Sequence, residues 1–161
     1  MTRKVIMKRI LALLIVACIY FILYDFLHPV VIVAVHKDNI SCDILVENFP
    51  YTDKGKIEWW IKNKKNLREN YDLPVRNEDG SFSVYVWDFD KGYRAMPKSV
   101  PRLSSETTDL LCFNDMKVKE NCIEKNMLFR ISKNRYGETF YRGADNYYKQ
   151  KDDGELIKII D

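Results

Sequence analysis

Residues 1–29, MTRKVIMKRILALLIVACIYFILYDFLHP, separate an apolar N-terminal segment from a polar remainder, and the organisation of everything downstream follows from how they are read. Arg3, Lys4, Lys8 and Arg9 precede a run from Ile10 to Tyr24 that contains only Ile, Leu, Ala, Val, Cys, Tyr and Phe. The run resumes past Asp25 with Phe26 and Leu27 and stops at His28-Pro29. A helix rises about 1.5 Å per residue, so crossing bilayer hydrocarbon takes roughly 17–25 residues. Ile10 to Leu27 supplies eighteen. Cations on the inner flank alone orient such a span with its N-terminus in the cytoplasm. The expected organisation is a basic cytoplasmic tip (1–9), a transmembrane signal anchor (10–27) and a periplasmic domain (28–161), a single-pass protein of a bacterial inner membrane.

Two other readings compete. A cleaved secretory signal needs a small-residue site after a core of about 7–15 residues. Ala17-Cys18-Ile19 is the nearest match, yet apolar sequence continues past it. Ile15-Val16-Ala17-Cys18 loosely fits a lipobox, but a polar tether does not follow Cys18. The length and flanks favour the uncleaved anchor. Asp25, beside Tyr24 at the outer boundary, reads as an interfacial carboxylate rather than a proton relay.

The charge balance is easily misread. The chain has 26 Lys+Arg against 23 Asp+Glu, with a pI near 8.6. Taking away the four cations and one anion of residues 1–27 leaves 22 of each sign. The basicity therefore belongs to the N-terminal segment, and the outer domain lacks the cationic excess that nucleic-acid binding asks for. Three cysteines lie beyond the apolar run. In an oxidising compartment, Cys112 and Cys122 are expected to form a disulfide across a short polar loop, and Cys42, in an alternating segment, is expected to be buried. With no Cys-x-x-Cys and two histidines, no metal site or cofactor is expected.

The pattern of the outer domain predicts an α+β fold: a mostly antiparallel sheet packed by one principal helix. Val30 to Val35 and Ile40 to Val46 read as a hairpin around a polar turn at 36–39. Thr52 or Asp53 caps a helix whose inward stripe is Ile57, Trp60, Ile61, Lys64 and Leu67, with Lys54, Lys56, Lys62, Lys65 and Arg68 outward, and Leu73-Pro74 stops it. Ser81 to Phe89 alternates on two faces, which suggests a central position or a strand covered on its second side by the helix. A long loop (90–108) follows. Leu110 to Phe113 leads into the expected disulfide loop, and strands are then expected at Met127 to Ser132, Thr139 to Arg142, Asn146 to Gln150 and Leu156 to Ile160, the last pair joined by a two-residue Asp153-Gly154 turn.

Catalytic patterns are sparse: no Gly-x-Ser-x-Gly, phosphate-binding glycine loop or His-Glu-x-x-His occurs. His28 and His36 flank the first strand with no evident acid-base partner, and read as interfacial or turn residues. Asp88 and Asp90 at a strand end, together with Asp115, form the acidic set an envelope enzyme would use. Aromatic residues are more informative. Trp59, Tyr93, Tyr136 and Tyr147 are expected on the surface, beside cations, as material for a protein interface.

Several blocks carry a resemblance: Val-Ile-Val-Ala-Val-His (31–36), Asp-Ile-Leu-Val-Glu-Asn-Phe-Pro (43–50), Thr-Asp-Lys-Gly-Lys-Ile-Glu-Trp-Trp (52–60), Gly-Ser-Phe (80–82), Trp-Asp-Phe (87–89), Leu-Cys-Phe-Asn-Asp-Met-Lys (111–117) and Asn-Cys-Ile (121–123). With the basic N-terminal segment, the chain resembles the small enterobacterial membrane proteins grouped as domain of unknown function 943. The resemblance implies a short membrane-anchored protein and assigns no activity. The expected function is binding of a protein partner in the envelope, with a toxin-immunity protein as one version. The rivals are an enzyme using Asp88, Asp90 or Asp115, or an accessory subunit of a membrane complex.

Overall fold

The computed structural model describes residues 3–38, 40–99 and 108–159, with backbone alone at 3–6, 18 and 21–27. The chain forms two compact units, Met1–Val30 and Val31–Asp161. The first is one helix, α1 (Arg3–Leu27) of 25 residues. Among the described residues no helix is long and apolar enough to cross a membrane. The side chains of Cys18, Tyr24 and Asp25 lie outside those described, so the readings placed on them have no structural counterpart here.

The second unit is α+β. Its strands are β1 (Val31–Lys37), β2 (Cys42–Glu47), β3 (Phe82–Asp88), β4 (Leu110–Cys112), β5 (Cys122–Glu124), β6 (Met127–Lys133), β7 (Thr139–Arg142), β8 (Tyr147–Gln150) and β9 (Leu156–Ile159), with helix α2 (Asp53–Tyr71) between β2 and β3. Seven strands form one sheet in the order β1-β2-β3-β6-β7-β8-β9, and β4-β5 is a separate hairpin. The sheet is mixed rather than wholly antiparallel, because β2 and β3 run parallel. The reason is the connection: α2 carries the chain back to the starting edge, as a parallel pair requires. The predicted β1–β2 hairpin forms, and β3 lies between β2 and β6 as its two-faced alternation implied.

Paired residues on adjacent strands share a face, so the register sorts the side chains. One row runs Cys42, Val84, Ile131, Tyr141, Tyr148. Tyr148 O–H donates to Asp53 at 3.2 Å, which places this row under α2. Cys42, Val84, Ile131 and Tyr141 of this row and their neighbours Ile44, Val86 and Phe129 are buried, as are Ile57, Trp60 and Leu67 of the helix, while Tyr148 at its end is partly exposed. Phe129 is wholly inaccessible and stacks on Tyr141 at 6.1 Å. Burying such a ring contributes about 1.5–3 kcal/mol. Cys42 is in this layer as a free thiol, accepting from the Val75 N–H at 3.3 Å, and burial raises its pKa.

The ends of α2 follow their sequence signals with two local surprises. Thr52 is the cap: its Oγ1 accepts the Gly55 N–H at 3.1 Å. A Cβ at Gly55 would come within 3.0 Å of both the Pro50 ring and the Thr52 hydroxyl, so the low-propensity glycine is what lets the cap close. The helix ends before Leu73-Pro74, at Asp72 in the left-handed conformation, whose N–H bonds to Arg68. The stripe is also rotated from the expected one. Lys56 is buried and donates to the Leu128 carbonyl at 2.9 Å, whereas Ile61 is 40 % exposed and Lys64 is exposed. Its methylene stem suits apolar cover once the ammonium has an acceptor.

The turn between β8 and β9 is longer than a two-residue one. The Lys151 N–H bonds to the Glu155 carbonyl at 2.8 Å around Asp152, Asp153 and Gly154, with Gly154 at φ 88°. This is the three-residue hairpin loop with glycine in the left-handed position.

Candidate functional site

Among the described residues, the second face of the sheet is covered only at its β1–β2–β3 end. Leu45 packs there against Phe113 and Ile123 of the β4–β5 hairpin, joined by Trp87, Phe89, Tyr93, Leu111 and Met116. The predicted disulfide between Cys112 and Cys122 closes that hairpin, which pairs in register as Leu110–Glu124, Leu111–Ile123 and Cys112–Cys122. Strand β5, too short to show alternation, was not expected. Backbone bonds between Arg94 and Cys122 (2.8 and 3.0 Å) fasten the preceding loop to the hairpin, and Glu124 receives Lys91 and Arg94 at 3.0 and 2.7 Å. Those cations hold the Glu124 pKa below its ordinary value, led by the Lys91 hydrogen bond.

His36 lies at the centre of this arrangement. Sequence placed it in a turn without partners; the strand in fact continues through it, because a register irregularity between Ile32 and Ala34 turns the end of β1 inward. Its Nδ1 is 2.8 and 3.0 Å from the two Asp115 oxygens, and its Nε2 is 2.7 Å from the Tyr93 hydroxyl. Its ring stacks on Phe113 at 3.8 Å with the planes 11° apart. An ionised carboxylate only accepts, so Nδ1 carries a proton toward Asp115, and a neutral ring accepts the Tyr93 O–H at Nε2. Burial, and then the Asp115 charge, raises the Tyr93 pKa, which keeps that phenol protonated. The histidine is thus a tie between β1, the loop after β3 and the turn after β4.

Beside it, Asp43 pairs with His36 across β1–β2. Its Oδ1 accepts the Trp87 indole N–H at 2.7 Å. Burial raises the Asp43 pKa, partly opposed by that hydrogen bond. The space above holds an open cleft of about 400 Å³, walled by Asp43, Tyr85 and Trp87 of the sheet and by Phe113, Asn114 and Asp115 of the hairpin. Aromatic walls with a half-buried carboxyl at the base suit a small cationic or hydrogen-bonding group.

The residues singled out from sequence are dispersed. Tyr93 is at the cleft. Trp59 is half-buried against Phe49 at 5.0 Å, between α2 and the chain leading into it. Tyr136 stands at the β6–β7 turn, 74 % exposed, with the Arg135 guanidinium 5.0 Å from its ring. Tyr147 lies on the uncovered half of the second face, stacked on Phe140 at 5.5 Å. The acidic set is not assembled either. Asp88 accepts from Asn126 at 2.9 Å and, with Asp90, borders a shallow cleft on the α2 side near Lys56, whereas Asp115 is on the opposite side with His36. No group of three or more His, Cys, Asp or Glu able to hold a metal ion occurs among the described residues. His36 and Asp43 were missed. The available signal was parity: His36 ends a β-branched run at a position that alternates with Val35, and Asp43 interrupts an otherwise apolar strand.

Fold and site together define a small α+β protein with a disulfide, consistent with an extracytoplasmic domain, and with a preformed cleft. Residues 1–160 match the family described as enterobacterial putative membrane protein (DUF943), and the chain belongs to that family. No curated protein and no solved structure matches it.

Proposed function

We propose that this chain is a single-pass inner-membrane protein, with its N-terminus cytoplasmic and its second unit periplasmic, and that this unit binds a protein partner through the His36–Asp43 cleft. A toxin-immunity protein, occupying an incoming toxin, is one concrete form. The basic tip, the apolar run and the family's membrane character support the anchor. The disulfide supports the oxidising side. Recognition is favoured over catalysis by one observation: both ring nitrogens of His36 are engaged inside the fold, so neither is offered to a substrate. An enzymatic reading retains Asp43, whose raised pKa suits a general acid, and Asp115 on the same cleft, whose carboxylate is already held by His36.

Two measurements test this. Alkaline phosphatase fused after Asp161 should be active, and inactivity would place the second unit in the cytoplasm. A photo-reactive residue at Ser41, on the cleft rim, should give one discrete protein adduct in cells, while the same residue at Tyr51 should not. Adducts at neither position, or equally at both, would remove the cleft from the account. For the immunity form, cells deleted for the gene should become sensitive to a toxin encoded nearby; unchanged resistance to all of them rejects it.

A further inference from the structure

The uncovered half of the second face carries a second row of paired residues: Tyr85, Arg130, Arg142, Tyr147. Arg130 and Arg142 face each other directly across β6 and β7. Like charges at directly opposed positions destabilise a sheet unless something neutralises them. Among the described residues neither makes an ion pair, and the Arg130 Nε is buried with no acceptor. Asp145 borders an adjoining recess with Arg142 without pairing with it, and Glu138, at the β6–β7 turn, is held by Lys149 and by Asn134 at 2.7 Å. Arg130 is supported instead by the Tyr85 ring, 5.0 Å from its guanidinium. With Ser132 and Tyr147 the two arginines line a recess of about 300 Å³.

We infer that this recess binds a phosphoryl group, separately from the cleft. Two guanidinium forks supply the parallel N–H pairs that phosphate oxygens accept, and their two positive charges match a dianion better than a single carboxylate. The Ser132 and Tyr147 hydroxyls are further donors at the rim. The Tyr85 ring lies against Arg130, and Tyr147, backed by Phe140, gives an organic phosphate an apolar wall. The same chemistry is offered by a free phosphate compound and by the glycerol phosphate of a lipid headgroup.

The test is a titration of the full chain in uncharged micelles, following the arginine Nε–H resonances by NMR at constant ionic strength, with inorganic phosphate, glycerol phosphate or chloride. Arg130 and Arg142 should shift and saturate with phosphate and not with chloride. Arg142→Gln should weaken binding roughly tenfold or more, since a charged hydrogen bond is lost. Arg135→Gln, at the distant turn, should leave it unchanged. Saturation by glycerol phosphate at lower concentration than by inorganic phosphate points to a headgroup or other organic ester, and equal saturation to a free phosphate. If neither anion saturates, or if Arg142→Gln titrates like the parent chain, the site does not exist. Arg142 is exposed, so its replacement leaves the fold intact, and an unchanged melting curve for that variant verifies this.

Discussion

The two halves of the sheet's second face are built from the same kind of strand and end in opposite states. Under β1–β2–β3, Leu45 and Trp87 are roofed by a disulfide hairpin pinned through His36. Under β6–β9, Arg130, Phe140, Arg142 and Tyr147 face outward with no element above them among the described residues. What separates the halves is the cover, which arrives from far away in sequence: His36 meets Tyr93 across 57 positions and Asp115 across 79. The roofed half holds a rigid cleft, because its walls are fixed by a covalent bond, a stacked ring and three side-chain hydrogen bonds. The open half presents loose charge and aromatic surface.

The largest effect should come from removing the roof's covalent closure. Replacing Cys112 and Cys122 by serine should cost about 2–4 kcal/mol, read as a lower denaturation midpoint for the full chain in micelles. An unchanged midpoint would mean that the hairpin is held by packing alone. Next, His36→Ala strands the Asp115 carboxylate and the Tyr93 hydroxyl and should cost about 1–3 kcal/mol. A cost indistinguishable from that of an exposed position would break the claim that His36 joins three segments.

Asp43 gives a pH signature on the roofed side. Burial raises its folded pKa above the unfolded value, so between the two the folded state holds the extra proton and stability falls as pH rises. Asp43→Asn keeps an oxygen for the Trp87 indole and removes the buried charge. It should therefore be at least as stable as the parent at neutral pH, with the difference gone once pH drops below the unfolded pKa. A variant less stable at neutral pH would show that the ionised carboxylate contributes to the fold. The smallest effect belongs to the open half, where Arg142→Ala should change stability by no more than about 0.5 kcal/mol. A larger loss would mean that half is structurally committed after all.

Much of this was legible from local pattern. Strand β3 follows period-two alternation, β6 to β9 follow the turn signals between them, α2 follows its capping threonine, and Cys112–Cys122 follows from spacing and compartment. The parallel β2–β3 pairing was implicit in the helix between them and was overlooked. Lys56 and Ile61 exchanged their expected places because a carbonyl at Leu128 made room for an ammonium, a tertiary fact that no helical wheel carries. The cleft was illegible for a similar reason. Its histidine is turned inward by an irregularity in β1, and its partners come from a loop and a turn that share no pattern with it. Residues 100–107 of the long loop lie outside the described residues.

The central claim is that the β4–β5 hairpin is a fixed wall of a binding cleft rather than a loose flap. Hydrogen exchange on the oxidised full chain in micelles tests it directly. The account predicts that the amides of Leu111, Phe113 and Cys122 are protected to a degree comparable with β2 and β3, and that His36→Ala lowers protection there while leaving β7 and β8 unchanged. Rapid exchange across residues 110–124 in the oxidised parent chain would contradict it.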